Sequence, residues 1–271
     1  MRGQRLGGQE HKYHLFISID ERGSMPSDLA NLTIEPSFHG FFFDLDGTLA
    51  PISDDPSAVA LSEGIRQSLA TLINLTNGAV VVLTGRGFMD ASKILAPLDV
   101  PVVGSHGWEY DHRFGGSGSH PLSSNALHQA LSPLETFAAE AKLKLEQKPG
   151  SIAIHYRHAP EQGEIARQTV ENVANQMPGL RAIHGKMVSE IAIASVNKGT
   201  ALAHLMHRPE FAGRIPIMIG DDVTDEDGFE AAQRLGGSGI KIGAGPTQAM
   251  YRAQTIGSFH QWLAHLLAKG K

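Results

Sequence analysis

Cysteine is absent from all 271 residues. That excludes disulfides, cysteine-ligated zinc and a thiol nucleophile, and it fits work in a reducing cytoplasm. No apolar run approaches the roughly 18 residues that a membrane span needs. The opening stretch MRGQRLGGQEHKYHLFISIDERGS also lacks the apolar segment of a signal peptide. Organised basic charge is missing too. The 23 basic and 28 acidic residues leave a formal net charge of -5, and the basic ones are scattered. Neither nucleic acid nor a membrane is therefore an expected partner, and a small molecule is. At 41% apolar residues, the chain is long enough for a substantial core and for two domains.

What is present alternates. Residues 1–37 are polar, show no sustained period and read as a loosely attached, flexible tail. From 38 on, short apolar runs alternate with helical spacing. GFFFDLD, GAVVVLTGR, DVPVVGSHG, RIPIMIGDD and SGIKIG read as strands. LSEGIRQSLATLIN, GFMDASKILAPL, TDEDGFEAAQRLG and SFHQWLAHLLAKG read as helices. The pattern predicts an α/β fold with a parallel sheet covered on both faces. Residues 111–194 are too many for a plain crossover and carry elements of their own. NALHQALSPLETFAAEAKLKLEQ is predicted as a helix, SIAIHYR as a strand and EIARQTVENVANQM as a second helix. LRAIHGKMVSEIAI is predicted as a hairpin turning at His184-Gly185. The reading is a core of 38–110 and 195–271 interrupted by a smaller α/β domain over 111–194.

Three predicted strands end alike: one in Asp44 and Asp46, one in Thr84, Gly85 and Arg86, one in Gly220, Asp221 and Asp222. Ligands of open α/β sheets sit beyond the carboxyl ends of the strands, so these groups converge on the edge where a site is expected. Clustered carboxylates repel by roughly 4 kcal/mol per pair at ~4 Å and an effective dielectric of 20. Oxygen donors without cysteine suit a hard cation, Mg2+ foremost, and Mg2+ suits a phosphate ligand. A phosphate monoester could be attacked by Asp44, with Asp46 as general acid and base. Thr84, Lys198 and turn amides around Gly47 and Gly85 would hold its oxygens. Lys198 stands where Ser195 or Asn197 can cap a helix, an unfavourable end for a cation that a bound anion would offset. Thr224 and Asp227 fit a capping box, and Asp225 is left open between a cap and support for the metal.

DLDGT at 44–48, LTGR at 83–86, NKG at 197–199 and GDDVTDEDGF at 220–229 resemble, in order and spacing, the haloacid dehalogenase (HAD) phosphatase superfamily. GSHGWE, LEQKPGSIAIHYR, GKMVSEI and KIGAGPTQA narrow the resemblance to the trehalose-6-phosphate phosphatase family. It implies a Rossmann-like HAD core with a mobile cap and Mg2+-dependent release of phosphate from trehalose 6-phosphate, the last step of trehalose biosynthesis. By the same resemblance Asp44, Asp46 (through its carbonyl) and Asp221 hold the metal. Arg86, His106 and Gly107 on the core, with Lys148, Arg157 and Glu190 on the cap, contact the substrate. A monomer is expected. Two features depart from the family's pattern: Trp108 after His-Gly, and Ile191-Ala192-Ile193 after Glu190, where a basic residue is common. Other capped sugar-phosphatases, acting on sucrose phosphate or mannosylphosphoglycerate, form the alternative. A phospho-accepting receiver-like module is the alternative from another class.

Overall fold

Phe41 and Phe43 lie in one apolar cluster and Phe42 in another. That division shows a strand buried on both faces, as the unbroken apolar run implies. The computed structural model describes residues 27–115 and 123–268. In the core, strands β1 (Ser27–Asp28) and β2 (His39–Phe43) precede helix α1 (Glu63–Leu75), then β3 (Val80–Leu83), α2 (Phe88–Leu95), β4 (Val102–Gly104) and β5 (Glu109–Tyr110). The second unit holds α3 (Ser123–Glu140), β6 (Lys144–Lys148), β7 (Ser151–His155), α4 (Gly163–Gln176), β8 (Leu180–Gly185) and β9 (Val188–Ile193). The chain then returns through α5 (Lys198–Leu205), β10 (Ile215–Gly220), α6 (Glu226–Arg234), β11 (Ser238–Ile242), β12 (Tyr251–Ala253) and α7 (Ile256–Ala268).

Among the described residues the core sheet runs β1-β12-β11-β10-β2-β3-β4-β5, parallel except where β5 turns back on β4. Helices α1, α2 and α7 pack on the face of Phe41 and Phe43, while Leu202, Leu205 and Phe229 of α5 and α6 pack on the face of Phe42. The connections diverge to either side of β2, so the crevice at a topological switch point opens beyond Phe43. The second unit is an antiparallel sheet, β6-β7-β9-β8, with α3 and α4 on one face. Ile152, Ile154 and Ile191 face those helices; Ser151, Ala153 and Glu190 alternate to the other side. The fold is a capped α/β fold, and no described helix is long and apolar enough to cross a membrane.

Three details depart from the sequence reading. The expected tail covers residues 1–37; residues 1–26 lie outside the described residues, but Ser27–Asp28 pairs with β12 and Leu29 and Ile34 are buried in the core. Apolar side chains too sparse to show a period still close the sheet edge. The helix expected over 125–147 stops at Glu140, because Lys142 adopts a left-handed φ of 54° and Leu143 N–H returns to the Ala138 carbonyl. Lys144–Lys148 then pairs with β7. The cap hairpin turns at Lys186-Met187, after the expected His184-Gly185, with Met187 at φ 63°. Part of the predicted loop RFGGSGSHP, residues 116–121, lies outside the described residues.

Candidate active site

The adjacent strands β10, β2 and β3 deliver Asp221, Asp44 and Thr84 to one edge, as their order requires. Asp44 follows β2 directly, and its N–H donates to the Ile219 carbonyl of β10 at 2.8 Å. Gly47 turns the chain away at φ +83°. A side chain there would meet the Asp221 carboxylate, since a Cβ would lie 2.2 Å from its Oδ2. The Gly47 N–H donates to the Ala50 carbonyl at 2.7 Å, so that amide is engaged by the turn. Thr84 is buried, and its Oγ1 accepts from Arg86 N–H at 3.1 Å, leaving the hydroxyl proton to be donated elsewhere.

Lys198 arrives from the cap-side return of the chain. Asn197 caps α5 in a reciprocal box with Thr200, which selects one of the two caps the sequence offered. The Lys198 side chain is only 2% exposed, and its Nζ donates to Asp44 Oδ1 at 2.6 Å and to Asp225 Oδ1 at 2.5 Å. Burial alone would lower the lysine pKa; the carboxylates of Asp225 and Asp44 outweigh it and raise it. Asp225 takes the capping role left open for it and also braces Lys198. Its Oδ2 accepts from Asp222 N–H at 2.9 Å in a capping box, and its Oδ1 braces Lys198. The box expected between Thr224 and Asp227 is therefore made by Asp222 and Asp225, and Asp227 pairs instead with Arg181 of the cap.

Acceptor atoms of Asp44, Asp221 and Asp225 lie within 4.8 Å of one another. Burial raises the Asp44 pKa well above the ordinary range, opposed by Lys198 and reinforced by Asp225 and Asp221. Burial and Asp225 push Asp221 up to about 7. One ammonium does not neutralise three carboxylates. Asp221 Oδ1 is buried without a hydrogen-bond partner among the described residues. An all-oxygen donor set with an unspent buried oxygen fits a hard divalent cation. Asp221 itself is positioned by Lys241, buried on β11, whose Nζ donates to the Asp221 carbonyl at 2.5 Å. Sequence reasoning missed Lys241; a lysine inside the apolar run SGIKIG was the available signal.

The two acids of DLDGT separate in role. Asp46 is gripped at both oxygens by Arg86, with Nε to Oδ2 at 2.6 Å and Nη2 to Oδ1 at 2.7 Å. Arg86 also donates to the Pro56 carbonyl at 2.9 Å. Thus Arg86, read as a substrate contact, is engaged by Asp46.

His106 and Gly107 lie where β4 gives way to a tight turn, with His106 at φ 56° and its N–H on the Thr84 carbonyl at 2.9 Å. Burial lowers the His106 pKa to about 4; Glu190 opposes this, while Lys198 and Lys148 add to it. On the cap, Lys148 Nζ donates to Glu190 Oε2 at 3.3 Å, and Glu190 is 5% exposed with Oε1 unpartnered among the described residues. Burial would raise the Glu190 pKa, but Lys148 and His106 bring it below the ordinary value. His106 therefore shares an electrostatic neighbourhood with Lys148 and Glu190. Arg157 does not join them: its Nη1 meets Asp54 of the core loop at 3.0 Å, in an exposed pair.

Residues 42–257 match the family model for trehalose-phosphatase. The chain is 34% identical over 226 residues to trehalose-6-phosphate phosphatase of Escherichia coli (strain K12), covering 83% of this chain and 85% of that one. It is 37% identical over 230 residues to a probable trehalose-phosphate phosphatase of Sinorhizobium fredii (strain NBRC 101917 / NGR234), covering 84% and 86%. The C-terminal domain of trehalose-6-phosphate phosphatase from C. albicans superposes with a TM-score of 0.74 at 20% identity, over 86% of this chain and 92% of that one. The sucrose-phosphatase of Synechocystis sp. PCC6803 does so with a TM-score of 0.56 at 18% identity, over 84% and 98%. At such identities these two likenesses concern the fold.

Proposed function

The chain belongs to the trehalose-phosphatase family, and on that premise we propose that it hydrolyses trehalose 6-phosphate to trehalose and phosphate through an aspartyl-phosphate at Asp44. The observation that carries the reading is the meeting of Asp44, Lys198, Asp221 and Asp225 at one sheet edge. A carboxylate oxygen of Asp44 attacks phosphorus, and the bond from phosphorus to the sugar oxygen breaks. Asp46 gives the leaving oxygen its proton. Water then attacks phosphorus of the phospho-aspartate and gives a proton to Asp46, and the bond from phosphorus to Asp44 breaks, restoring the carboxylate and freeing inorganic phosphate. Arg86 occupies both oxygens of Asp46, so it must swing aside before Asp46 can reach the leaving oxygen. Once loosened, Arg86 is free to meet the ester. Lys198 and Thr84 neutralise and orient the phosphoryl oxygens. Mg2+, held by Asp44, Asp221 and the Asp46 carbonyl, would supply charge neutralisation for the ester and the carboxylate cluster.

The cap's polar face supports a sugar ester as substrate. Lys148 and Glu190 offer a donor and a buried acceptor of the kind that read hydroxyls, and His106, neutral at pH 7, offers both. A phosphate-release panel of trehalose 6-phosphate, sucrose 6-phosphate and p-nitrophenyl phosphate, run with Mg2+ and with EDTA, tests the reading. Trehalose 6-phosphate should be the preferred ester, EDTA should abolish turnover, and Asp44→Asn should be folded and inactive. Preference for sucrose 6-phosphate, or an active Asp44→Asn, would overturn it.

A further inference from the structure

Trp108 lies two residues beyond His106, and the turn of a cap hairpin rests on its indole. That turn is Pro149-Gly150, between the paired residues Lys148 and Ser151. Gly150 adopts φ +80°, and a Cβ added there would lie 2.9 Å from Cε3 and 3.1 Å from Cδ2 of the Trp108 ring. Both terms demand glycine: the left-handed backbone penalises any side chain, and the ring leaves no space for one. The contact therefore joins cap backbone to core side chain directly.

Each side of the contact is anchored. Trp108 N–H is shared between the Gly104 and Ser105 carbonyls, at 3.1 and 3.2 Å, at the end of β4. On the other side the same short turn carries Lys148, bonded to Glu190 at 3.3 Å, and Ser151, which helps hold the Glu190 pKa down. The other described side-chain links that pair cap with core charges, Arg157 to Asp54 and Arg181 to Asp227, are partly or largely exposed. Exposed ion pairs are weak and screened by salt. An apolar stack against backbone is short-ranged and insensitive to salt, so it fixes a distance where the ion pairs fix only an approach.

We propose that Trp108 is a positioning residue, the seat on which the Pro149-Gly150 turn docks, setting how far Lys148, Ser151 and Glu190 stand above Asp44. This rests on the reading of the cap face as the sugar-binding side. The consequence is selective: an ester bulky enough to need the cap feels the seat, and a small ester held by the core alone does not.

The experiment measures kcat and KM of wild type, Trp108→Ala, Trp108→Phe, Gly150→Ala and the Trp108→Ala/Gly150→Ala pair, on trehalose 6-phosphate, sucrose 6-phosphate and p-nitrophenyl phosphate. Misplacing groups by about 1 Å costs up to roughly a hundredfold, so Trp108→Ala should raise KM for the preferred sugar phosphate about tenfold. Its kcat/KM on p-nitrophenyl phosphate should stay within about twofold, and Trp108→Phe, which keeps a flat ring, should recover most of the loss. Gly150→Ala alone should be as poor as Trp108→Ala. In the double variant the clash is gone, so the two losses should not multiply. Equal loss on the small ester, an unchanged sugar-phosphate KM, or fully multiplicative effects would overturn the seat. Should Trp108→Ala not fold, Trp108→Phe and Gly150→Ala carry the same comparison. Wild type that prefers sucrose 6-phosphate would refute the proposed substrate while the seat is judged on that ester.

Discussion

Replacing Lys198 by methionine removes the cation from the centre of a carboxylate cluster while keeping most of the buried volume. In the native protein the ammonium lies 2.6 Å from Asp44 and 2.5 Å from Asp225. Without it, three acids with acceptor atoms within 4.8 Å of one another are left to repel. At that spacing and an effective dielectric of 20, each like-charged pair costs roughly 3.5 kcal/mol. Proton uptake by Asp221 and Asp44, whose pKa values are already raised, limits the total. The net loss should therefore match that of breaking a buried ion pair, about 3–5 kcal/mol. At about 2–4 °C per kcal/mol this lowers the unfolding midpoint by roughly 6–20 °C. Thermal unfolding at pH 7.5, followed by circular dichroism in EDTA and in Mg2+, reads it. The midpoint should fall by that amount in EDTA, and Mg2+ should restore more of it in Lys198→Met than it adds to wild type, because the variant's site is more negative. Adding Asp225→Asn should regain part of the loss in EDTA by removing one repelling charge. A variant with a wild-type midpoint in EDTA, or an identical Mg2+ response, would refute the electrostatic account of the site.

Other expectations follow from the geometry. Glu190→Gln and Lys148→Ala should lower kcat/KM for trehalose 6-phosphate at least about tenfold, and that for p-nitrophenyl phosphate by much less, because a site built to bond hydroxyls loses most when its partners go; equal losses would mean the cap does not read the sugar. His106 has a folded pKa near 4, below the ordinary 6.5, so its stabilising contribution is complete above pH 6.5 and is lost as pH falls toward 4. At pH 5 the loss is about 2 kcal/mol by linkage; urea unfolding of wild type and His106→Gln at pH 7.5 and 5 should show it in wild type alone. Arg181→Ala removes a partly exposed pair with Asp227 and should cost about 1 kcal/mol or less. It should also enlarge the radius of gyration measured by solution scattering, and an unchanged radius would mean the pair does not hold the cap.

Much of the fold was legible because its signals are local. The run Phe41-Phe42-Phe43, buried on both faces, needs only the pleat of a strand to divide between two clusters. Asn197 and Thr200 form their box within one helical turn. The polar ends of β2, β3 and β10 announced a site once a parallel sheet was inferred, since such a sheet aligns its carboxyl ends. Where the local signal was split, the reading slipped. Leu143 and Leu145 continue the helical spacing of α3, but they also alternate, and only pairing with β7 decided for a strand.

Tertiary structure alone decided which charges meet. Asp46 and Arg86 are 40 positions apart, and Lys198 and Asp44 are 154 apart. Sequence spacing carries no distance across such gaps; strand order does. It also decided that Arg157 faces Asp54 rather than Glu190, that Lys241 braces Asp221, and that Gly150 rests on Trp108. The chain's local chemistry determined its elements and the edge where reactive groups gather. Packing of distant elements determined which of those groups are paired, buried or left with an unspent oxygen, because burial and proximity are properties of the assembled sheet and its cap.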